Sequence, residues 1–384
     1  MSKRISKDTL KIISLFLGYK VLLFLILFLA IKFIPLANID KYLGGGGLNY
    51  SLMPELFAWA NFDGEHYLSI AIFGYKNLQQ AFFPVYPMLI NFIASPISFD
   101  LLSGLINSTI IGLIISNTAF LIVLLYLVDL IRLDYSKKVS YLTIFLLILF
   151  PTSFYFSALY NESLFLLLTV VAFLNARRGN WFLASVFACI ASATRIFGII
   201  LFPAFIIEAF LQKKYKRVFW ILLIPLGLLA YMYYQYITVG DPLAFYHIQD
   251  LIGEQRQSSL VLLPQVYFRY IKMLLTVDPS NIIYQTILLE FICGILFFIL
   301  PIYGYFKKIR LSYLFFAFVS FIITTVQGSF SSVPRYVLVF FPSFLALALL
   351  INNSSKLIKI ILFSILGLLL IIETTLFLRG YWVA

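Results

Sequence analysis

Apolar runs follow one another from end to end of this 384-residue chain, broken by short basic clusters and two longer polar stretches. Most runs are long enough to cross a hydrocarbon core of about 30 Å, which takes roughly 20 apolar residues as a helix. The spans must be helical, because lipid cannot satisfy backbone N–H and C=O groups and no dyad repeat of a β-barrel is present. The chain is therefore expected to be an all-α integral membrane bundle.

The basic clusters orient it. They are Lys3/Arg4/Lys7/Lys11, Arg132/Lys137/Lys138, Arg177/Arg178, Lys213/Lys214/Lys216/Arg217, Lys307/Lys308/Arg310 and Lys356/Lys359, and they hold most of the 28 Lys and Arg. Cytoplasmic loops carry such residues, so an even number of crossings must separate each cluster from the next. Spans at roughly 12–36, 101–128, 139–156, 160–176, 181–196, 197–212, 218–238, 283–306, 311–327, 335–352 and 356–378 satisfy this. That makes about eleven, with the N-terminus inside and the C-terminus outside. Residues 181–212 would break the parity as one tilted helix, so two short or broken helices are expected there.

Composition agrees: 62% of residues are hydrophobic and 11% charged, against about a quarter charged in soluble domains. The net charge of +12 sits between spans, as the positive-inside rule expects, and does not point to nucleic acid. Cys189 and Cys293 both fall in apolar segments, which suggests neither a disulfide framework nor a metal motif. The first apolar run is too long for a signal peptide and lacks a cleavage site, so it reads as a retained helix.

The chain is treated as one domain, 1–384, with outer loops at 37–100 and 239–282. The first loop holds GGGG (44–47), expected to supply slack, then NFDGEHYLSIAIFGY (61–75) and AFFPVYPMLINFIASP (81–96). The second holds Asp241, His247, Asp250, Glu254, Arg256, Arg269, Lys272 and Asp278.

On this map the unusual polar residues converge on the outer face. Asp63, Glu65 and His66 are in the first loop. Glu162, in LYNES (159–163), and Arg195, in ATRIFG (193–198), lie at outer turns; Asp241 and His247 are in the second loop, and Arg335 is in SVPRY (332–336). Each has a plainer reading. Asp63 is placed to cap an interfacial helix beginning at Gly64. His66 and His247 suit ordinary hydrogen bonding, Glu162 suits a cap or a pair with Arg195, and Arg335 suits snorkelling at a helix start. Their shared side of the membrane favours a functional site.

An acid with two arginines in a water-poor cleft suits transfer from a phosphate-bearing lipid. Arginine forks neutralise the phosphate and a carboxylate takes the proton of the attacking hydroxyl. No P-loop, dinucleotide fingerprint or HExxH motif is present.

FDGEHYLSIAIFGY followed by AFFPVYPMLI resembles the signature of PIG-V-like mannosyltransferases, the GPI mannosyltransferase II type. LYNESLFLLLTVVAFLNARRGNWFLASVFACIASATRIFGIILFP (159–203) and SVPRYVLVFFPSFLALA (332–348) resemble its later blocks. Phe62 stands where the family usually has Trp beside the acid, and 239–282 matches no block. The family is of the GT-C type, using polyprenyl- or dolichyl-phosphate sugars. The resemblance implies juxtamembrane helices in the first loop and inverting transfer of mannose or a related hexose to a lipid-anchored acceptor. It implies that Asp63 is the catalytic acid of the first loop; on the residues themselves Asp63 is read as general base, with Glu65 and His66 orienting the acceptor or assisting. Arg195 and Arg335 then hold the phosphate, and Glu162, Tyr160, Tyr336, Asp241 and His247 line the substrate site. No cofactor is expected; a divalent cation between Asp63 and Glu65 is the less favoured alternative. A flippase for a lipid-linked sugar is the competing function, disfavoured because no paired broken helices mark an inverted repeat. The membrane is the plasma membrane of a prokaryote, or the endoplasmic reticulum if the chain is eukaryotic.

Overall fold

The computed structural model describes residues 7–37, 43–248, 251 and 261–383. Lys3 and Arg4 of the first basic cluster, and Asp250, Glu254 and Arg256 of the second loop, lie outside the described residues. The described residues form helices and turns, without strands.

Five helices are long and apolar enough to cross a membrane: Lys7–Phe33, Leu101–Ile131, Tyr215–Val239, Ile282–Phe306 and Lys356–Leu378. A sixth is the bent pair Val333–Val339 and Phe341–Asn352. The protein is thus a multi-pass membrane bundle. Helices also occupy the other segments read as spans, Lys137–Leu149, Glu162–Arg177, Trp181–Ser192, Leu201–Leu211 and Leu311–Thr325, each shorter than a full crossing.

Two segments show how local chemistry sets the breaks. Helix Trp181–Ser192 stops before Thr194 and Arg195, and a 3₁₀ turn, Ile196–Ile200, leads into Leu201–Leu211, so 181–212 is broken as expected. Gly198 allows the turn to fold back: a Cβ there would lie 2.4 Å from the backbone of Ala191 and Ser192. By contrast, 335–352 is not one helix. It bends by 88° around Phe340, because Pro342 has no N–H and its ring collides with the carbonyl one turn back.

The first outer loop folds into helices Gly46–Leu52, Pro54–Phe57, Asp63–Phe73 and Val85–Ala94. The glycine run is not slack. A Cβ at Gly44 would lie 2.1 Å from the Phe57 carbonyl oxygen, and Gly45 takes a left-handed φ of +73° that other residues adopt at a cost.

Close backbone approach also joins helix Ile224–Val239 to Trp181–Ser192 at Gly227, where a Cβ would fall 2.0 Å from the Cys189 carbonyl oxygen. Gly227→Ala is therefore expected to force the two helices apart and destabilise the bundle by about 1–3 kcal/mol. Thermal unfolding in detergent, compared with the wild type, measures it.

Candidate active site

Helix Glu162–Arg177 sets the depth of the site. Its basic end is anchored where Arg177 forms a bidentate pair with Asp134, at 2.5 and 2.8 Å. Sixteen residues rise about 24 Å, so Glu162 lies that far from the basic end, within the bundle. Around it an irregular stretch, with a 3₁₀ turn at Ser153–Phe156, brings Tyr155, Tyr160 and Asn161 to the same level.

Asp63 arrives from the first loop. It occupies the first position of helix Asp63–Phe73, one residue beyond the capping position, which Phe62 holds without a side-chain acceptor. The expected cap at Asp63 is therefore shifted by one residue; its negative charge still suits the helix N-terminus. Phe62 takes a left-handed φ of +57°, a strained conformation for a non-glycine residue. Its ring packs against Phe377 and edge-on against Trp382, at 6.0 and 5.4 Å. Gly64 lets this helix start approach the Leu159 carbonyl oxygen and the Tyr160 ring, which a Cβ would meet at 3.3 and 3.4 Å.

Arg335 comes from the opposite end of the chain. Its Nη1 donates to Asp63 Oδ2 at 2.5 Å and its Nη2 to the Tyr336 hydroxyl at 3.2 Å. Its Nε faces Glu162 Oε1 at 3.7 Å. Arg195 Nη1 in turn lies 2.6 Å from the same Glu162 oxygen and donates to Asn161 Oδ1 at 3.0 Å. Asp63, Arg335, Glu162 and Arg195 thus form one chain of alternating charge. The Arg335 guanidinium lies over the rings of Tyr155, Tyr160 and Tyr336, at 5.6, 5.5 and 4.9 Å. Tyr160 is tied in by its hydroxyl, which donates to the Asn61 carbonyl oxygen at 2.8 Å.

The chain has a closed end and an open end. Arg195, Glu162 and Arg335 side chains are 9%, 2% and 6% exposed, while that of Asp63 is 28% exposed. Buried charges at membrane depth persist when paired, and removing one partner is costly. Glu162→Ala strands Arg195, and the expected loss is about 3–5 kcal/mol of stability. Glu162→Gln, which keeps an acceptor, should recover part of the melting temperature in the same unfolding assay.

The remaining expected site residues are placed differently. Glu65 turns toward the glycine run, accepting from the Gly45 N–H at 2.7 Å; burial raises its carboxyl and that hydrogen bond partly offsets the rise. It therefore serves a different partner from Asp63. Among the described residues no group of three His, Cys, Asp or Glu gathers as metal ligands. His66 stacks on Phe82 with centroids 4.6 Å apart; burial lowers its basicity and the Asp63 charge partly restores it. Asp241 and His247 pair with each other at 2.7 Å on the exposed surface, and that hydrogen bond lowers the Asp241 carboxyl. The structure brings together Asp63, Glu162, Arg195, Arg335, Tyr160 and Tyr336.

Sequence reasoning did not single out Tyr155, Asn161, Tyr270 or Glu290. Glu290 accepts from the Ser332 N–H at 3.1 Å and from the Tyr270 hydroxyl at 2.6 Å. It thereby fixes the residue three positions before Arg335. An acid inside an apolar helix was the available signal. The second loop contributes here through helix Leu263–Thr276, where Arg269 donates to the Gly328 carbonyl oxygen at 3.0 Å.

The helical bundle that carries this cluster resembles a solved fold. A crystal structure of the Archaeoglobus fulgidus oligosaccharyltransferase in the apo form superposes with a TM-score of 0.50 at 14% identity, covering 96% of this chain and 56% of that one. A second, tethered by a disulfide to an acceptor peptide containing the NVT sequon, gives 0.45 at 15% identity, with 95% and 55% covered. The chain spans little more than half the length of that enzyme. A comparison with curated proteins finds no match. The family model described as mannosyltransferase (PIG-V) matches residues 48–248, more than half of the chain. The chain belongs to that family, and its helical bundle shares the fold of that oligosaccharyltransferase.

Proposed function

We propose that this protein transfers a hexose, mannose in the first instance, from a polyprenyl- or dolichyl-phosphate sugar to a lipid-anchored acceptor on the extracytoplasmic face, with inversion at the anomeric carbon. The carrying observation is the Asp63–Arg335 contact at 2.5 Å, at the open end of the charge chain. It sets a proton acceptor and a phosphate-binding fork side by side.

The acceptor hydroxyl oxygen forms a bond to the anomeric carbon while Asp63 takes its proton. The bond from that carbon to the phosphate oxygen breaks, and its electron pair stays on the phosphate, held by Arg335. Attack from the face opposite the leaving group inverts the centre, with the acceptor hydroxyl in the place of water in inverting hydrolysis. Glu162 neutralises Arg195 and steadies Arg335 from behind. His66, stacked on Phe82 and biased toward its neutral form, borders the entry for the acceptor. Glu65 acts through the loop by holding Gly45, and we assign the exposed Asp241–His247 pair to the acceptor head group.

An apolar groove of about 390 Å³, lined by Tyr267, Ile271, Phe291, Ile295, Phe298 and Ile299, suits the isoprenoid chain of the donor. Tyr267 joins it to the site by packing on Phe330, with centroids 5.0 Å apart, five residues before Arg335. No cofactor is assigned to the step: Asp63 is the base and Arg335 holds the phosphate, while Glu65 bonds to Gly45. We place the protein in about eleven crossings, several of them made by short or broken helices, with its catalytic face outward in the plasma membrane of a prokaryotic cell.

Mass spectrometry of lipid-linked glycans from cells with and without the intact gene tests the assignment. An acceptor lacking one hexose in the deletion supports it. Unchanged glycans with altered distribution across the bilayer would instead favour a flippase.

A further inference from the structure

Asp63 and the donor phosphate call on the same arginine. Arg335 spends Nη1 on Asp63 and Nη2 on Tyr336, turns Nε to Glu162, and lies over three tyrosine rings. Of the charged groups around it, only Asp63 is appreciably open, so an anion entering the site meets the Asp63 edge of the guanidinium. Two negative groups cannot both hold that edge without repulsion in a water-poor site.

We infer that Asp63 and the lipid phosphate compete for Arg335, so that donor binding releases the base and the returning carboxylate expels the spent lipid phosphate. The inference rests on the reading of Asp63 as general base and Arg335 as phosphate ligand. A carboxylate held by arginine is a poor proton acceptor; the phosphodiester, on taking Arg335, leaves Asp63 basic just when the acceptor hydroxyl needs it. The charge count is steady through the step. Carboxylate and phosphodiester carry one negative charge each beforehand. Afterwards the protonated acid is neutral and the phosphomonoester carries two. When Asp63 gives its proton to water, the carboxylate retakes Arg335 and weakens the hold on the product.

Binding of a short-chain polyprenyl monophosphate to the purified full-length protein in detergent tests this by titration calorimetry. Asp63→Asn keeps the shape and removes the competing charge, and the expected result is about tenfold tighter binding, as when a state that excludes the ligand is removed. Asp63→Ser provides a second variant, read the same way, should the first not fold. The gain should vanish when Arg335→Gln is added, whereas simple relief of charge repulsion would persist there. Equal or weaker binding by both Asp63 variants, or a gain that survives Arg335→Gln, overturns the inference and leaves the assigned reaction standing. Failure of the wild type and every variant to bind would overturn the phosphate donor as well.

Discussion

Asp63→Asn is expected to lower hexose transfer by about 10²–10⁴-fold, the range a positioned general base contributes, while the protein stays folded. Asparagine can still accept the hydrogen bond from Arg335, so the helix start and the charge chain lose little shape. It cannot take a proton from the acceptor hydroxyl. The strained Phe62 backbone and the close fit of Gly64 against Leu159 and Tyr160 are also unchanged. A loss of activity without loss of folded protein separates a chemical role from a capping one.

Arg335→Lys is the second large effect. Lysine keeps the positive charge but not the planar fork, which here divides its donors between Asp63 and Tyr336 and turns its third nitrogen to Glu162. Loss of a donor aimed at developing negative charge typically costs about 10²–10³ in turnover, and the same is expected here. Initial-rate kinetics with the phosphate-linked donor measure it, and the Michaelis constant for the donor should rise alongside. A Lys variant with wild-type kinetics would remove Arg335 from the phosphate site.

The fold was largely legible because its signals are local. Apolar runs, basic clusters and proline or glycine breaks lie within a few residues of the structure they cause, and each segment read as a span holds a helix. The 88° bend before Pro342 could have been read from the proline alone. The individual site residues were legible as expensive charges, but their partners were not. Asp63 and Arg335 are 272 positions apart, and nothing at either position names the other. The pairing of Glu65 with the glycine run was hidden for a similar reason, since four glycines read equally as slack or as close approach. The clamp that helix Leu263–Thr276 and Glu290 place on the Arg335 segment depends on tertiary contacts alone.

The most direct measurement supplies purified protein in lipid nanodiscs with labelled polyprenyl-phosphate mannose and an extract of membrane lipids. The wild type should convert the label into a new glycolipid with the opposite anomeric configuration, and Asp63→Asn beside it should leave the donor intact. Donor left intact by the wild type, or glycolipid formed equally by both proteins, would contradict the account.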